Sequence, residues 1–182
     1  IITDIVAYEE PTNAGIPTVG VDIFIGIKDN DTYRKIFKFT GSTPLGTSAG
    51  TGEAIHLIDS TIEKCPAVEK FPELFAPQPD KTYKFKKGTA EADILAKGDE
   101  GLKTLWKQVQ RYEGKGCKNA VNNLLTIIAP EFIGKKVSEL QRITQVDKKL
   151  LQLEKDTAIK RGKFPADVSG DSRLDPDPVA DP

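Results

Sequence analysis

The strongest constraint on the fold of this chain is an alternating run between residues 19 and 27. Its β-branched members are Val19, Val21, Ile23, Ile25 and Ile27, separated by Gly20, Asp22, Phe24 and Gly26. A period of two predicts a β-strand with one buried face. Residues 29–31 have turn chemistry, and residues 33–39 are predicted to return as a second strand. With a further strand over residues 1–8, the chain is predicted to open as a three-stranded antiparallel meander.

After residue 98 the spacing of apolar residues becomes helical. The first helical stripe consists of Leu102, Leu105, Trp106, Val109 and Tyr112. Asp99 precedes it as a candidate N-cap, and residues 114–116 (Gly-Lys-Gly) are predicted to break the helix. Strands followed by helices predict an α+β fold, with a helical bundle packed on one face of the sheet.

Two more helices are predicted downstream. The second has its apolar stripe between residues 117 and 128 and is predicted to end at Pro130. The third is predicted to begin at Ser138, where Gln141 three residues later would complete a capping box. Its stripe consists of Leu140, Ile143, Val146, Leu150 and Leu153.

The remaining segments are rich in proline. Residues 60–98 contain Pro66, Pro72, Pro77 and Pro79, which exclude long regular elements, so this stretch is predicted to be a proline-rich surface insertion. It lies within a domain predicted to span residues 1–164. Residues 165–182 are predicted to form a flexible acidic Asp/Pro tail that cannot build a core.

Charge and composition exclude several classes of partner. The formal net charge is −1, and residues 165–182 carry five aspartates and one arginine, so residues 1–164 carry +3, too weakly basic for a nucleic-acid partner. No apolar stretch approaches the ~20 residues that span a bilayer, so no membrane partner is expected. Cys65 and Cys117 have no spacing typical of a disulfide framework, which favours a reducing, cytoplasmic location.

Four stretches resemble the enolase family, in the family's order. Residues 13–22 (NAGIPTVGVD) are similar to its opening S-R-G-N-P-T-V-E-V-D, and residues 47–54 (TSAGTGEA) to its mobile loop S-G-A-S-T-G followed by E-A. The third and longest stretch, residues 112–123 (YEGKGCKNAVNN) running on to residues 127–134, resembles Y-x-G-K-G-x-x-x-A-V-x-N-V-N followed by I-A-P-x-L-I-G. Residues 145–153 are similar to the helix that leads into the family's barrel. Together these stretches cover most of residues 1–162 outside the predicted insertion.

The resemblance implies the N-terminal capping domain of a glycolytic, Mg²⁺-dependent lyase. Enolases dehydrate 2-phosphoglycerate to phosphoenolpyruvate, and their base, acid and metal carboxylates lie in a barrel of about 250 residues. Only 18 residues follow Phe164 here, so we expect the catalytic residues to lie outside this chain and the chain alone to be inactive. Mg²⁺ is implied by the family, but binding by this chain alone is not expected. The first residue, Ile1, and the lack of methionine lead us to expect a fragment or a processed form.

The resemblance also implies a loop that closes over the substrate. This candidate lid consists of Thr47, Ser48, Ala49, Gly50, Thr51 and Gly52. The family's serine ligand to the second Mg²⁺ falls on Gly50, which has no side chain, so the nearby hydroxyls of Ser48 and Thr51 are the alternatives, with Ser48 as the candidate metal ligand. The loop lacks the Gly-Lys-Ser/Thr of a P-loop, and an ordinary surface loop is the competing interpretation.

Two classes of function follow. A capping domain would bind an enolase-type barrel domain or a homodimer partner. The alternative is a non-catalytic interaction or scaffold module with an enolase-like fold, binding a protein partner through residues 60–98; Gly50, Ala14 (an arginine in the family) and the insertion favour it. The single histidine, His56, is interpreted as a structural or surface residue.

Overall fold

The computed structural model describes residues 1–30, 32–43, 57–140 and 142–162. The chain divides into two compact units, Ile1–Lys135 and Lys136–Pro182. The boundary predicted between residues 164 and 165 lies outside the described residues.

The first unit opens with the predicted meander. Strands β1 (Ile2–Pro11), β2 (Pro17–Asp29) and β3 (Thr32–Ser42) form an antiparallel sheet in the order β1-β2-β3. Each strand extends past its predicted last residue. The α+β fold class, with this sheet first and helices after it, is confirmed.

A bulge between Ile25 and Gly26 shifts the register of β2 against β3. At Gly26 the two backbones come so close that a Cβ atom would lie 1.9 Å from the carbonyl oxygen of Arg34. Glycine is required here because any side chain would collide with this backbone oxygen.

The two faces of the sheet differ in polarity. Ile5, Ile23 and Phe39 are directly opposite one another across the strands and so lie on one apolar face. On the other face, Asp22 accepts hydrogen bonds from Thr40 Oγ1 at 2.7 Å and Lys38 Nζ at 3.0 Å. The apolar face is buried along β1, but on β3 the side chains of Phe37 and Phe39 are 62% and 56% exposed.

Residues 60–98 form five short elements, as their prolines predict. These are α1 (Pro66–Lys70), a 3-10 helix (Pro72–Leu74), strands β4 (Phe75–Pro77) and β5 (Tyr83–Phe85), which pair with each other, and α2 (Glu91–Ala96).

The same stretch also supplies most of a buried core. The core cluster consists of Ile62, Val68, Phe71, Phe75, Ile94, Leu102 and Val109, of which the first five come from residues 60–98. The interpretation of this stretch as a surface insertion is therefore wrong for these side chains. Elements of three to six residues are too short to show a period, so the pattern did not reveal their burial.

The first predicted helix is confirmed as α3 (Glu100–Gln110), but it ends before the predicted break at residues 114–116, and Tyr112, the last residue of its predicted stripe, lies outside it. The Asp99 carboxylate caps it by accepting a hydrogen bond from the Leu102 N–H at 2.9 Å. Leu102 is fully buried in the core cluster, and the Trp106 ring meets Phe85 edge-on, with centroids 4.9 Å apart. A 3-10 turn, Arg111–Gly114, follows the helix.

The second predicted helix continues past its expected end. Helical backbone runs through α4 (Lys118–Asn123), a π-helical turn (Leu124–Ile128) and α5 (Ala129–Phe132), all packed on β1. Pro130 was predicted to end the helix and does not. The Ala129 N–H donates to the Leu124 carbonyl, one residue further back than in an α-helix, and this wider turn lies directly before the proline that has no N–H to donate.

The second unit contains a 3-10 helix (Val137–Leu140) and α6 (Ile143–Lys160). The predicted start of a helix at Ser138 is wrong. Instead, the Glu139 carboxylate accepts a hydrogen bond from the Lys136 N–H at 3.3 Å and holds a separate turn, and α6 begins only after Arg142. Gln141 lies outside the described residues. Among the described helices, none has an apolar stretch long enough to cross a bilayer.

Candidate functional site

The turn that follows α3 has an unusual backbone. Tyr112 (φ 51°) and Glu113 (φ 55°) both adopt the left-handed conformation, and Gly114 (φ 85°) follows them. Side-chain-bearing residues in this conformation cost on the order of 1–3 kcal/mol each unless surrounding contacts hold them. The turn begins the longest stretch that resembles enolase, and contacts from other parts of the unit hold it.

A buried ionic group, the Glu9–Asp59–Arg111 cluster, lies directly against this turn. The Arg111 guanidinium donates from Nη1 to Glu9 Oε1 at 3.1 Å and from Nη2 to Glu9 Oε2. The same Nη1 lies 3.4 Å from Asp59 Oδ2. The side chain of Asp59 is 0% exposed, and that of Glu9 is nearly buried. Burying two carboxylates is costly unless they are paired and hydrogen-bonded, and here one arginine serves both.

Backbone groups after the turn complete the hydrogen bonding of both carboxylates. The Cys117 N–H donates to Glu9 Oε1 at 2.9 Å, and the Asn119 N–H donates to Asp59 Oδ1 at 3.0 Å. Gln108 Nε2 also donates to Asp59 Oδ1, at 3.3 Å. The cluster therefore fastens three distant stretches, namely β1, residues 57–60 and the start of α4.

The backbone of residues 57–60 is also bound directly to the turn. The Asp59 N–H donates to the Gly116 carbonyl at 2.7 Å, and the Ser60 N–H donates to the Gly114 carbonyl at 3.3 Å. A Cβ atom at Gly116 would lie 2.5 Å from Asp59 Oδ2. Glycine at this position is therefore explained by the close approach of a carboxylate.

The electrostatics of the cluster favour an ionised Glu9 beside a charged Arg111. Burial raises the pKa of Glu9, but the hydrogen bonds from Arg111 and from the Cys117 N–H outweigh burial, so the pKa of Glu9 lies below its ordinary value. The hydrogen bond to Glu9 raises the pKa of Arg111. A carboxylate that stays ionised and already accepts several hydrogen bonds is suited to holding structure, not to transferring protons.

Cys117 lies beside the cluster as a buried free thiol. Burial, together with the negative charges of Glu9 and Asp59, raises the pKa of Cys117 from 9.0 to about 11. Because the thiolate is the nucleophile, this environment favours an inert structural thiol over a reactive one.

We expect Cys117 to resist thiol–disulfide exchange in the native protein. In a Cys65→Ser variant at pH 8, a shift from 9.0 to about 11 leaves the thiolate fraction of Cys117 about a hundredfold below its unfolded value, and burial slows access further. The rate of reaction with a chromogenic disulfide, measured with and without urea, checks this. Equal rates in the native and unfolded protein would contradict the buried placement.

The sequence-predicted site residues fall mainly outside the described part of the chain. Thr47, Ser48, Ala49, Gly50, Thr51 and Gly52 lie in the 44–56 gap, as does His56. Before that gap, Thr43 is held by Thr18, whose Oγ1 donates to the Thr43 carbonyl at 2.6 Å. Ala14 is exposed in the turn between β1 and β2. Residues 13–22, the first enolase-like stretch, thus contact the chain just before the gap through Thr18. Residues 112–123 contact it just after the gap, where Gly114 accepts a hydrogen bond from Ser60.

The cluster itself was missed by the sequence interpretation. One signal was present for Glu9, since Ile5, Ala7 and Glu9 share a face of β1 and a charge at the end of an inward-facing row indicates a buried partner. Asp59 and Arg111 are 52 residues apart and belong to no local pattern. Their proximity is a product of the tertiary fold.

Outside the gaps in the described chain, no group of three or more His, Cys, Asp or Glu side chains is arranged to hold a metal ion. The chain was also compared with protein-family models, with curated proteins and with solved structures, and no match was found in any of the three comparisons.

Proposed function

We propose that this chain is the capping domain of an enolase-like protein. The observation that carries the proposal is the agreement in order between the enolase-like stretches and the elements of the fold, a three-stranded antiparallel sheet followed by helices. The longest of these stretches begins at the left-handed turn, and its glycines have defined places there, Gly116 against Asp59 and Gly114 at positive φ.

In this role the chain would cover a barrel that supplies the chemistry. The barrel, carried by a longer parent chain or by a partner, would dehydrate 2-phosphoglycerate, and residues 47–52 would contribute the lid. The described residues do not offer a set of ligands that fits Mg²⁺, and Gly50 stands where the family has a serine ligand. We therefore derive no Mg²⁺-dependent step for this chain.

Two measurements test the proposal. The purified chain, incubated with Mg²⁺ and 2-phosphoglycerate, should form no phosphoenolpyruvate above background, as followed by ultraviolet absorbance. Mixed with an enolase barrel expressed without its own capping domain, the chain should form a 1:1 complex on size-exclusion chromatography with light scattering. Turnover by the chain alone would contradict the predicted inactivity, and failure of the folded chain to bind the barrel would contradict the capping role.

A second candidate function is a non-catalytic interaction module. The exposed rings of Phe37 and Phe39 on β3 favour it, because apolar side chains exposed together often mark a binding surface. Residues 60–98 are a less suitable docking segment than the sequence indicated, since their apolar side chains build the core. A Phe37→Ser/Phe39→Ser variant that stays folded and still binds the barrel would separate this function from the capping role.

A further inference from the structure

Helix α6 carries a seven-residue repeat of apolar positions. In steps of three and four, the repeat places Ile143, Val146, Leu150, Leu153 and Thr157 on one stripe. This is the a/d spacing of a coiled coil, with Ile143 and Leu150 at a positions and Val146 and Leu153 at d positions. Ile143 is 76% exposed, and the next three are half-buried. Within its unit, the one other described element is the four-residue 3-10 helix Val137–Leu140, which is too short to cover an 18-residue helix about 27 Å long.

The charged residues that flank this stripe form pairs of opposite sign at a spacing of five residues. In a parallel two-stranded coiled coil, each g position faces the e position five residues further along the second helix. The three such combinations in α6 and its caps are Arg142 with Asp147, Lys149 with Glu154, and Asp156 with Arg161. Each combination joins opposite charges, and in the third the order of signs is reversed.

We propose that α6 binds the α6 of a second copy of this chain as a short, parallel, two-stranded coiled coil. The relation between the charges selects the parallel arrangement, because an antiparallel pair aligned on the same stripe would bring Lys149 against the second copy's Lys149. Isoleucine at a (Ile143) and leucine at d (Leu153) are also typical of parallel dimers, whereas Leu150 at a and Val146 at d reverse this preference.

The proposed contacts are compatible with charged side chains that already have interactions within a single copy. Arg142, Lys149 and Arg161 take part in other interactions within the chain. Because lysine and arginine side chains are long and flexible, these residues can turn to a second copy when the apolar stripes meet. The inference is independent of the capping role, since it rests on α6 and its caps alone.

A charge-exchange experiment on the full chain tests the proposal. One variant, Arg142→Glu/Lys149→Glu, makes two g positions acidic, and a second, Asp147→Lys/Glu154→Lys, makes two e positions basic. Each variant alone would place like charges together at both positions, whereas a mixture would restore opposite charges at all of them. All four substitutions change exposed or half-exposed side chains, and circular dichroism checks that the fold is kept.

The readout is molar mass by sedimentation equilibrium over a range of concentrations. We expect the wild-type chain to reach twice its 19.9 kDa mass, each variant to dimerise at least about tenfold more weakly, and the equimolar mixture to recover the dimer. A wild-type chain that stays monomeric at its highest soluble concentration would overturn the proposal. So would dimerisation that both variants retain unchanged, or a mixture that fails to recover it, because either result would place the contact elsewhere.

A cross-link distinguishes the orientation. In a Cys65→Ser background, Ile143→Cys should form a disulfide between copies under mild oxidation, because a positions face each other in a parallel pair. Lys148→Cys, on the outer side of the helix, is the matched control and should remain monomeric on a non-reducing gel. Equal cross-linking at both positions, or none at residue 143, would count against the parallel pair.

Discussion

Replacement of Arg111 by methionine should lower the free energy of unfolding by about 3–5 kcal/mol. The methionine keeps much of the apolar stem but leaves the fully buried carboxylate of Asp59 and the nearly buried one of Glu9 without their shared cation. Urea denaturation followed by the fluorescence of Trp106, the only tryptophan, measures the change. Lys107→Met on the exposed side of α3 is the matched control and should change stability little.

The source of this loss can be separated from a general packing defect. If Arg111→Met destabilises because it leaves buried charge unpaired, adding Asp59→Asn should cost less than the two single substitutions predict together, since it removes one of the unpaired charges. Strict additivity would show that Arg111 and Asp59 are not coupled, and a cost for Arg111→Met no larger than that of the Lys107 control would show that Arg111 does not stabilise the fold.

Replacement of Ile94 by alanine should cost about 2–5 kcal/mol. Ile94 is 1% exposed and lies in the core cluster, so truncation removes buried methyl groups and leaves a cavity. The neighbouring Leu95 is 55% exposed and provides a matched control in the same helix, with Leu95→Ala expected to be nearly neutral. If the two variants unfold with the same denaturant dependence, their urea midpoints give the difference in their free energies of unfolding directly.

This comparison decides the role of residues 60–98. A large cost for Ile94→Ala with little for Leu95→Ala would place the segment inside the cooperative core. Equal, small costs would return it to the status of a surface insertion. Deleting residues 60–98 would be a poor test of partner binding, because the deletion removes five members of the core cluster.

The elements that could be predicted were those whose cause is local. The alternation through Ile23 and Ile25 predicted β2, and the spacing of Leu102, Trp106 and Val109, with Asp99 before them, predicted α3 and its cap. Both patterns repeat within a few residues, as the physics of one-sided burial requires. The error at Pro130 arose because a π-helical turn accommodates the proline, an option that residue spacing does not reveal.

The candidate site could not be predicted for the opposite reason. Glu9 and Arg111 are 102 residues apart, and what makes them partners is the path of the chain between them. The resemblance to enolase implied a lid at residues 47–52, which lie outside the described residues, whereas the Glu9–Asp59–Arg111 cluster lies at the turn after α3. The glycines of that turn were predicted to break a helix, but α3 ends before them at Gln110, and the close approach of Asp59 explains Gly116.

The left-handed turn at Tyr112 and Glu113 has a consequence for the time course of folding. Its backbone is unfavourable in isolation, and the groups that hold it come from residues near the start and the middle of the unit. Such a turn cannot act as an early nucleus, because loop-closure entropy must be overcome before its stabilising contacts exist. Substitutions there should mainly accelerate unfolding and leave the refolding rate almost unchanged.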